Sequence, residues 1–105
     1  MSEVQRDAVF RALADPTRRL LLERLAKRNG QSLAELADGL AISRQATSKH
    51  LALLEEAGLL LTQRAGRTRL HFLNPVPLHA EAQRWLRQFD SLSLTVLEAC
   101  QVSAA

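Results

Sequence analysis

Tyrosine is absent from this chain, and aromatic residues make up only 4% of its 105 residues, as one Trp and three Phe. A core cannot be built here on large rings. It must come mainly from Leu and Ala, which are plentiful among the 47% of hydrophobic residues. Both favour helix. A single cysteine, Cys100, excludes an intrachain disulfide and fits a reducing, cytoplasmic setting. No stretch approaches the ~18 consecutive apolar residues of a membrane span. The opening MSEVQRDAVFRALAD is amphipathic and carries acids, unlike the apolar stretch of a secretory signal. Acids are the minority charge, 11 against 14 Lys and Arg, and the net charge of +3 favours an anionic partner. No Ser/His/Asp set, paired carboxylates or Gly-rich phosphate loop can be placed in one pocket, so neither an enzyme nor a bound cofactor is expected. The length suggests one small domain, whose burial dimerisation would improve.

Helical periods and punctuation supply the layout. Val9, Phe10 and Leu13 share a face of a first short helix. Asp15-Pro16 reads as an N-cap followed by proline at the first helical position, and the helix so opened runs to Gly30. Ser32-Leu33-Ala34-Glu35 is a capping box for a third helix ending near Gly39. Ser43 starts a fourth that ends at Gly58. Two helices joined by a tight turn, over about 32–57, form a helix-turn-helix. Over about 59–73, Leu70 and Phe72 alternate with Arg69 and His71, and Ala65-Gly66 supplies a turn, which predicts a two-stranded hairpin or wing. Asn74-Pro75-Val76-Pro77 breaks it. A last helix, about 77–100, carries Leu78, Ala82, Trp85, Leu86, Phe89, Leu92 and Val96 on one face. The fold class is mainly α with a small β-hairpin, in one domain over 1–105.

The helix starting at ISRQATSKHLALLEEAG has its charges reversed. Arg44 and Lys49 occupy its first two turns and Glu55 and Glu56 its last, against the preference of the helix dipole by roughly 0.3–1 kcal/mol each. Thr47, Leu51 and Leu54 fall on one stripe, facing the core. Arg44, Gln45, Ser48, Lys49 and Ala52 fall on the other. That outer face offers donors, an amide and small residues, and no acid appears before Glu55. It suits a DNA major groove, where Arg and Lys pair with guanine and Gln with adenine. The positive helix end and its cations then converge on phosphates. The hairpin adds Arg64, Arg67 and Arg69 around Gly66, with no acid between Gln63 and Asn74. Arg67 and Arg69 are expected on one strand face, opposite Leu70 and Phe72. Such a basic hairpin can follow a DNA backbone or probe a minor groove.

SLAELADGLAISRQATSKHLALLEEAGLLLTQRAGRTRLHFLN resembles the helix-turn-helix and wing of the ArsR/SmtB family of bacterial transcriptional repressors. FRALADPTRRLLLERLA resembles that family's first two helices, and the likeness covers roughly residues 6–75. It implies a winged-helix homodimer that binds a palindromic double-stranded DNA operator and represses transcription. By position, Arg44, Gln45, Ser48 and Lys49 match the family's DNA-reading residues, and His50 and Leu51 match its helix signature. The candidate DNA-binding set is Ser43, Arg44, Gln45, Ser48, Lys49, His50, Arg64, Arg67 and Arg69.

Members of that family often sense metals. One type of site uses thiols on the helix that here spans Ser32–Leu40, and this helix has no Cys. Another uses a DxH with a distant HxxH or HxxE on the last helix. Here Pro77 stands two residues before His79, so with Glu81 and Asp90 the pattern is not met. No metal site is expected, and His71 is placed for phosphate. Phe10, Trp85, Leu86 and Phe89 are assigned to a dimer seam formed by the first and last helices. Two other functions are compatible with the sequence: a metal- or redox-responsive sensor using His79 or Cys100, and a winged-helix interaction module that does not touch DNA. The residues name no inducer.

Overall fold

The computed structural model describes residues 2–90 and residue 99. In chain order its elements are α1 (Glu3–Leu13), α2 (Pro16–Lys27), α3 (Leu33–Ala37), α4 (Arg44–Glu56), β1 (Leu60–Ala65), β2 (Thr68–Leu73) and α5 (Pro75–Arg87). Each helix opens on a side chain that satisfies an orphan backbone donor. Ser2 and Ser32 make capping boxes with Gln5 and Glu35. Asp15 accepts from Arg18 N, Ser43 from Ala46 N and Asn74 from Val76 N. With Pro75 at the first position, α5 starts two residues ahead of the expected 77, because Asn74 is an effective cap. The helix ends at Arg87 with Gln88 as C-cap, and the rest of the expected span to 100 lies outside the described residues except for 88–90 and residue 99.

The core is aliphatic, as the shortage of rings required. Leu21, Leu25, Leu36, Leu54 and Leu59 are fully buried, with Val9, Leu22, Leu51 and Leu60 around them. It lies where α1, α2 and α3 meet α4 and the first residues of β1. On α4 the buried residues are Thr47, Leu51 and Leu54, the stripe that the helical period predicts. Thr47 is tolerated there because its hydroxyl donates to Ser43 O at 3.0 Å.

Strands β1 and β2 pair antiparallel, from Leu60 opposite Leu73 to Ala65 opposite Thr68. Gly66 and Arg67 therefore form the two-residue turn, and Gly66 takes φ +65, which a two-residue hairpin turn favours. This corrects the expected placement of Arg67: it sits at the tip, not on a strand face with Arg69. Gly30 is also reassigned. α2 ends at Lys27, and Gly30, at φ +77, lies beyond it, donating its N–H to His71 O at 2.9 Å. A Cβ at Gly30 would stand 3.2 Å from Phe72 Cε2, so a side chain there would crowd the ring as well as strain the backbone. His71 is reassigned with it. It is buried, pairs with Gln31 as an isolated bridge, and its Nδ1 lies 3.0 Å from Gln31 O. It joins the wing to the body and keeps only 7% of its surface exposed, on the groove between α4 and the wing.

Candidate nucleic-acid interface

Helix α4 is presented by the residues beneath it. α3 and α4 pack together, and their connection is held from below by Arg24 of α2. Its Nη1 donates to Leu36 O at 2.8 Å and Asp38 O at 2.7 Å, carbonyls that the end of α3 leaves without helical partners. Gln31 closes the end of α2, donating from Nε2 to Arg28 O and to Arg24 O, which also accepts the Arg28 backbone N–H. Sequence reasoning gives neither residue a role. The available signal was their position beside helix ends, where long donors find orphan carbonyls.

Arg44, Gln45, Ser48, Lys49 and Ala52 are all exposed. Ser43 is exposed as the N-cap, its hydroxyl accepting from Ala46 N at 3.0 Å. No acid occupies the first turn of α4. A groove of about 490 Å³ runs between α3 and α4 on one side and the wing on the other. Arg44, Ser48 and Ala52 line its helical wall, Arg67 and Arg69 its wing wall, with Glu55 at the far end of α4. Gln45 and Lys49 are the exposed residues one step further round the helix.

On the wing, Arg64 stands directly opposite Arg69 in the ladder, and Arg67 is at the tip. Like charges directly opposite in an antiparallel pair are destabilising. Among the described residues no ion pair includes Arg44, Lys49, Arg64, Arg67 or Arg69. Five cations thus flank or adjoin one groove without internal neutralisation, an arrangement that an approaching polyanion relieves.

His50 does not belong to this surface, which corrects its place in the candidate set. Its ring is half-buried and turned to the α1–α2 junction. Nδ1 lies 3.3 Å from Arg18 Nη1 and 3.9 Å from Asp15 Oδ2. The cause is the helical period, which puts residue 50 on the flank of α4 away from Arg44 and Ser48. The Asp15 carboxyl is held below its ordinary value, first by the backbone N–H of Arg18, with the Arg18 charge, and the His50 charge when the ring is protonated, helping. Glu35 is lowered first by the Ser32 N–H and then by Arg28. Both carboxylates serve the scaffold.

At the opposite side of the molecule, α5 packs on α1. Phe10 and Trp85 meet edge to face with centroids 6.2 Å apart, and Trp85 and Phe89 do so at 5.0 Å. Much of each residue remains in water: Phe10 is 39% exposed, Trp85 50%, Leu86 55% and Phe89 44%. Beneath them Glu81 is buried, 3.5 Å from Arg6 Nε and 3.7 Å from Arg84 Nη1. His79 is exposed beside Gln83, and Cys100 lies outside the described residues. Among the described residues no three His, Cys, Asp or Glu side chains cluster as a metal site would need, and no helix is long and apolar enough to cross a membrane.

Residues 13–63 match the family model described as a helix-turn-helix domain. The chain is 42% identical over 87 residues to the HTH-type transcriptional regulator YuzN of Bacillus subtilis strain 168, covering 77% of this chain and 95% of that protein. It is 32% identical over 81 residues to the transcriptional repressor SdpR of the same organism, covering 77% of this chain and 88% of SdpR. Among solved structures, it superposes on a crystal structure of an ArsR family transcriptional regulator with TM-score 0.77 at 32% identity, covering 88% of this chain and 93% of the other.

Proposed function

Since this chain belongs to the ArsR family of winged helix-turn-helix transcriptional regulators, we propose that it represses transcription as a homodimer on a palindromic operator. Arg44, Gln45, Ser48 and Lys49, with the cap Ser43, enter the major groove. Arg64, Arg67 and Arg69 meet phosphates beside it. The observation that carries this reading is the groove between α4 and the wing, walled by Arg44 on one side and by Arg67 and Arg69 on the other. Its cations have no acid partner among the described residues. The work is binding and not catalysis, and it takes place in the cytoplasm, where the operator is. Repression is supported by the likeness to SdpR. The aromatic seam of α1 and α5 supports the dimer, which would place two α4 helices on half-sites about 34–36 Å apart or a multiple of that.

Binding-site selection from a random DNA pool, followed by affinity measurement on the selected site and on random DNA, tests the assignment. Gln45→Ala should cost about 1–3 kcal/mol on the selected site and much less on random DNA. Arg67→Ala should weaken both by similar amounts and reduce the salt dependence. Equal losses on both DNAs for Gln45→Ala would remove α4 from sequence reading.

A further inference from the structure

Arg18 and Arg19 stand together in the first turn of α2, where there is no acid and where cations oppose the helix dipole. Their contacts explain the placement. Arg19 Nη1 donates to Leu13 O at 2.6 Å. Arg18 reaches further, through three of its N–H groups. Nε donates to Ala12 O at 2.8 Å and Nη2 to Arg11 O at 3.0 Å, both at the C-terminal end of α1. Nη1 stands 3.3 Å from His50 Nδ1, in the middle of α4, and donates to it when the ring is neutral with its proton on Nε2. One planar cation therefore carries the end of α1 and the flank of the DNA-reading helix together. Its own backbone N–H is fixed by Asp15 Oδ2 at 3.1 Å. At its other contacts α1 holds α5, through Arg6 and Glu81 and through Phe10 and Trp85.

We propose that Arg18 is a positioning residue for operator recognition: it clamps α4, through His50, to the helix that carries the dimer seam. This rests on the reading of α4 given above and adds a distinct property. Two α4 helices in a dimer discriminate half-site spacing only if each is fixed relative to the seam. With the clamp opened, each α4 still presents Gln45 and Lys49 to a half-site, and the tolerance for altered spacing rises. The planar fork of the guanidinium suits the task, since a lysine ammonium cannot span two carbonyls and a ring nitrogen in one plane.

The test uses the full chain and the site selected from random DNA, with base pairs inserted or deleted between its half-sites. The wild type should lose about tenfold or more in affinity when spacing changes by one or two base pairs. In Arg18→Gln and in His50→Ala that gap should shrink to about threefold or less, while discrimination against a base change within a half-site persists. His50→Ala leaves the bonds of Arg18 to α1 in place, so it stands alone if Arg18→Gln does not fold. His50→Asn should restore the spacing preference, because its side-chain oxygen falls near the position of Nδ1 and accepts the same donor. Full spacing discrimination in His50→Ala, or an Asn variant no better than Ala, would overturn the clamp while leaving the reading of α4 intact. A wild type without base preference within a half-site would overturn that reading and the clamp with it.

Discussion

Asp15 shows how one side chain serves several levels of this structure. Its carboxylate caps α2 through Arg18 N and faces His50 at 3.9 Å. Those contacts favour the ionised form and lower its pKa, the Arg18 N–H most of all. A lowered folded pKa contributes stability above the unfolded carboxylate value, and that contribution fades as pH falls through the folded one. Glu35, lowered by the Ser32 N–H and by Arg28, acts in the same window. Chemical denaturation between neutral pH and pH below the carboxylate range should therefore show stability falling with acid. Asp15→Asn keeps a good cap but cannot titrate, so its stability should fall less steeply over the same range. An acid limb as steep as that of the wild type would assign the loss to other groups.

At the scale of elements, what matters is how short pieces are held. α3 has only five residues, too few to persist by its own hydrogen bonds. It is kept by its capping box, by Leu36 in the core and by Arg24 under its last carbonyls. Arg24→Met should leave those acceptors unpaired and destabilise the chain by about 1–3 kcal/mol, measured by urea unfolding. The wing depends on one backbone angle. Gly66 has φ +65 with nothing within 4 Å of an added Cβ, so the cost of Gly66→Ala is conformational and not steric crowding by neighbours. It should be about 1–2 kcal/mol, confined to the hairpin. Hydrogen exchange should quicken at the tip, for Ala65 and Thr68, and stay slow at Leu21 and Leu25. The helices were legible at this scale because caps and apolar period act locally. The faces of the hairpin were not, because His71, besides its ladder partner Thr62, bridges to Gln31, forty residues away.

For the whole molecule, the proposed dimer rests on the exposed apolar face of α1 and α5. Phe10, Trp85, Leu86 and Phe89 are between 39% and 55% exposed, so completing their burial gives roughly half of the about 1.5–3 kcal/mol that full burial of such a side chain is worth. Sedimentation at micromolar concentration should give twice the chain mass. Trp85→Glu should yield a monomer with the same helical content and weak operator binding, since each half-site would then be bound alone. A dimer that persists in Trp85→Glu would move the interface elsewhere.

The order of elements, the caps at Asp15, Ser32 and Ser43, the buried stripe of α4 and its opposite polar face were determined by the sequence itself. Each depends on residues within a turn or two of one another, where spacing alone sets which side chains meet. The tertiary structure decided what lies between elements. It turned His50 inward to Arg18 and Asp15, buried His71 against Gln31, set Arg67 at the wing tip and put Arg64 opposite Arg69. It also gave Arg18 and Arg24 the carbonyls at the C-terminal ends of other helices. These roles depend on which distant groups fold brings within hydrogen-bonding reach. An arginine or histidine looks the same along the chain whether it will face water, DNA or the end of another helix.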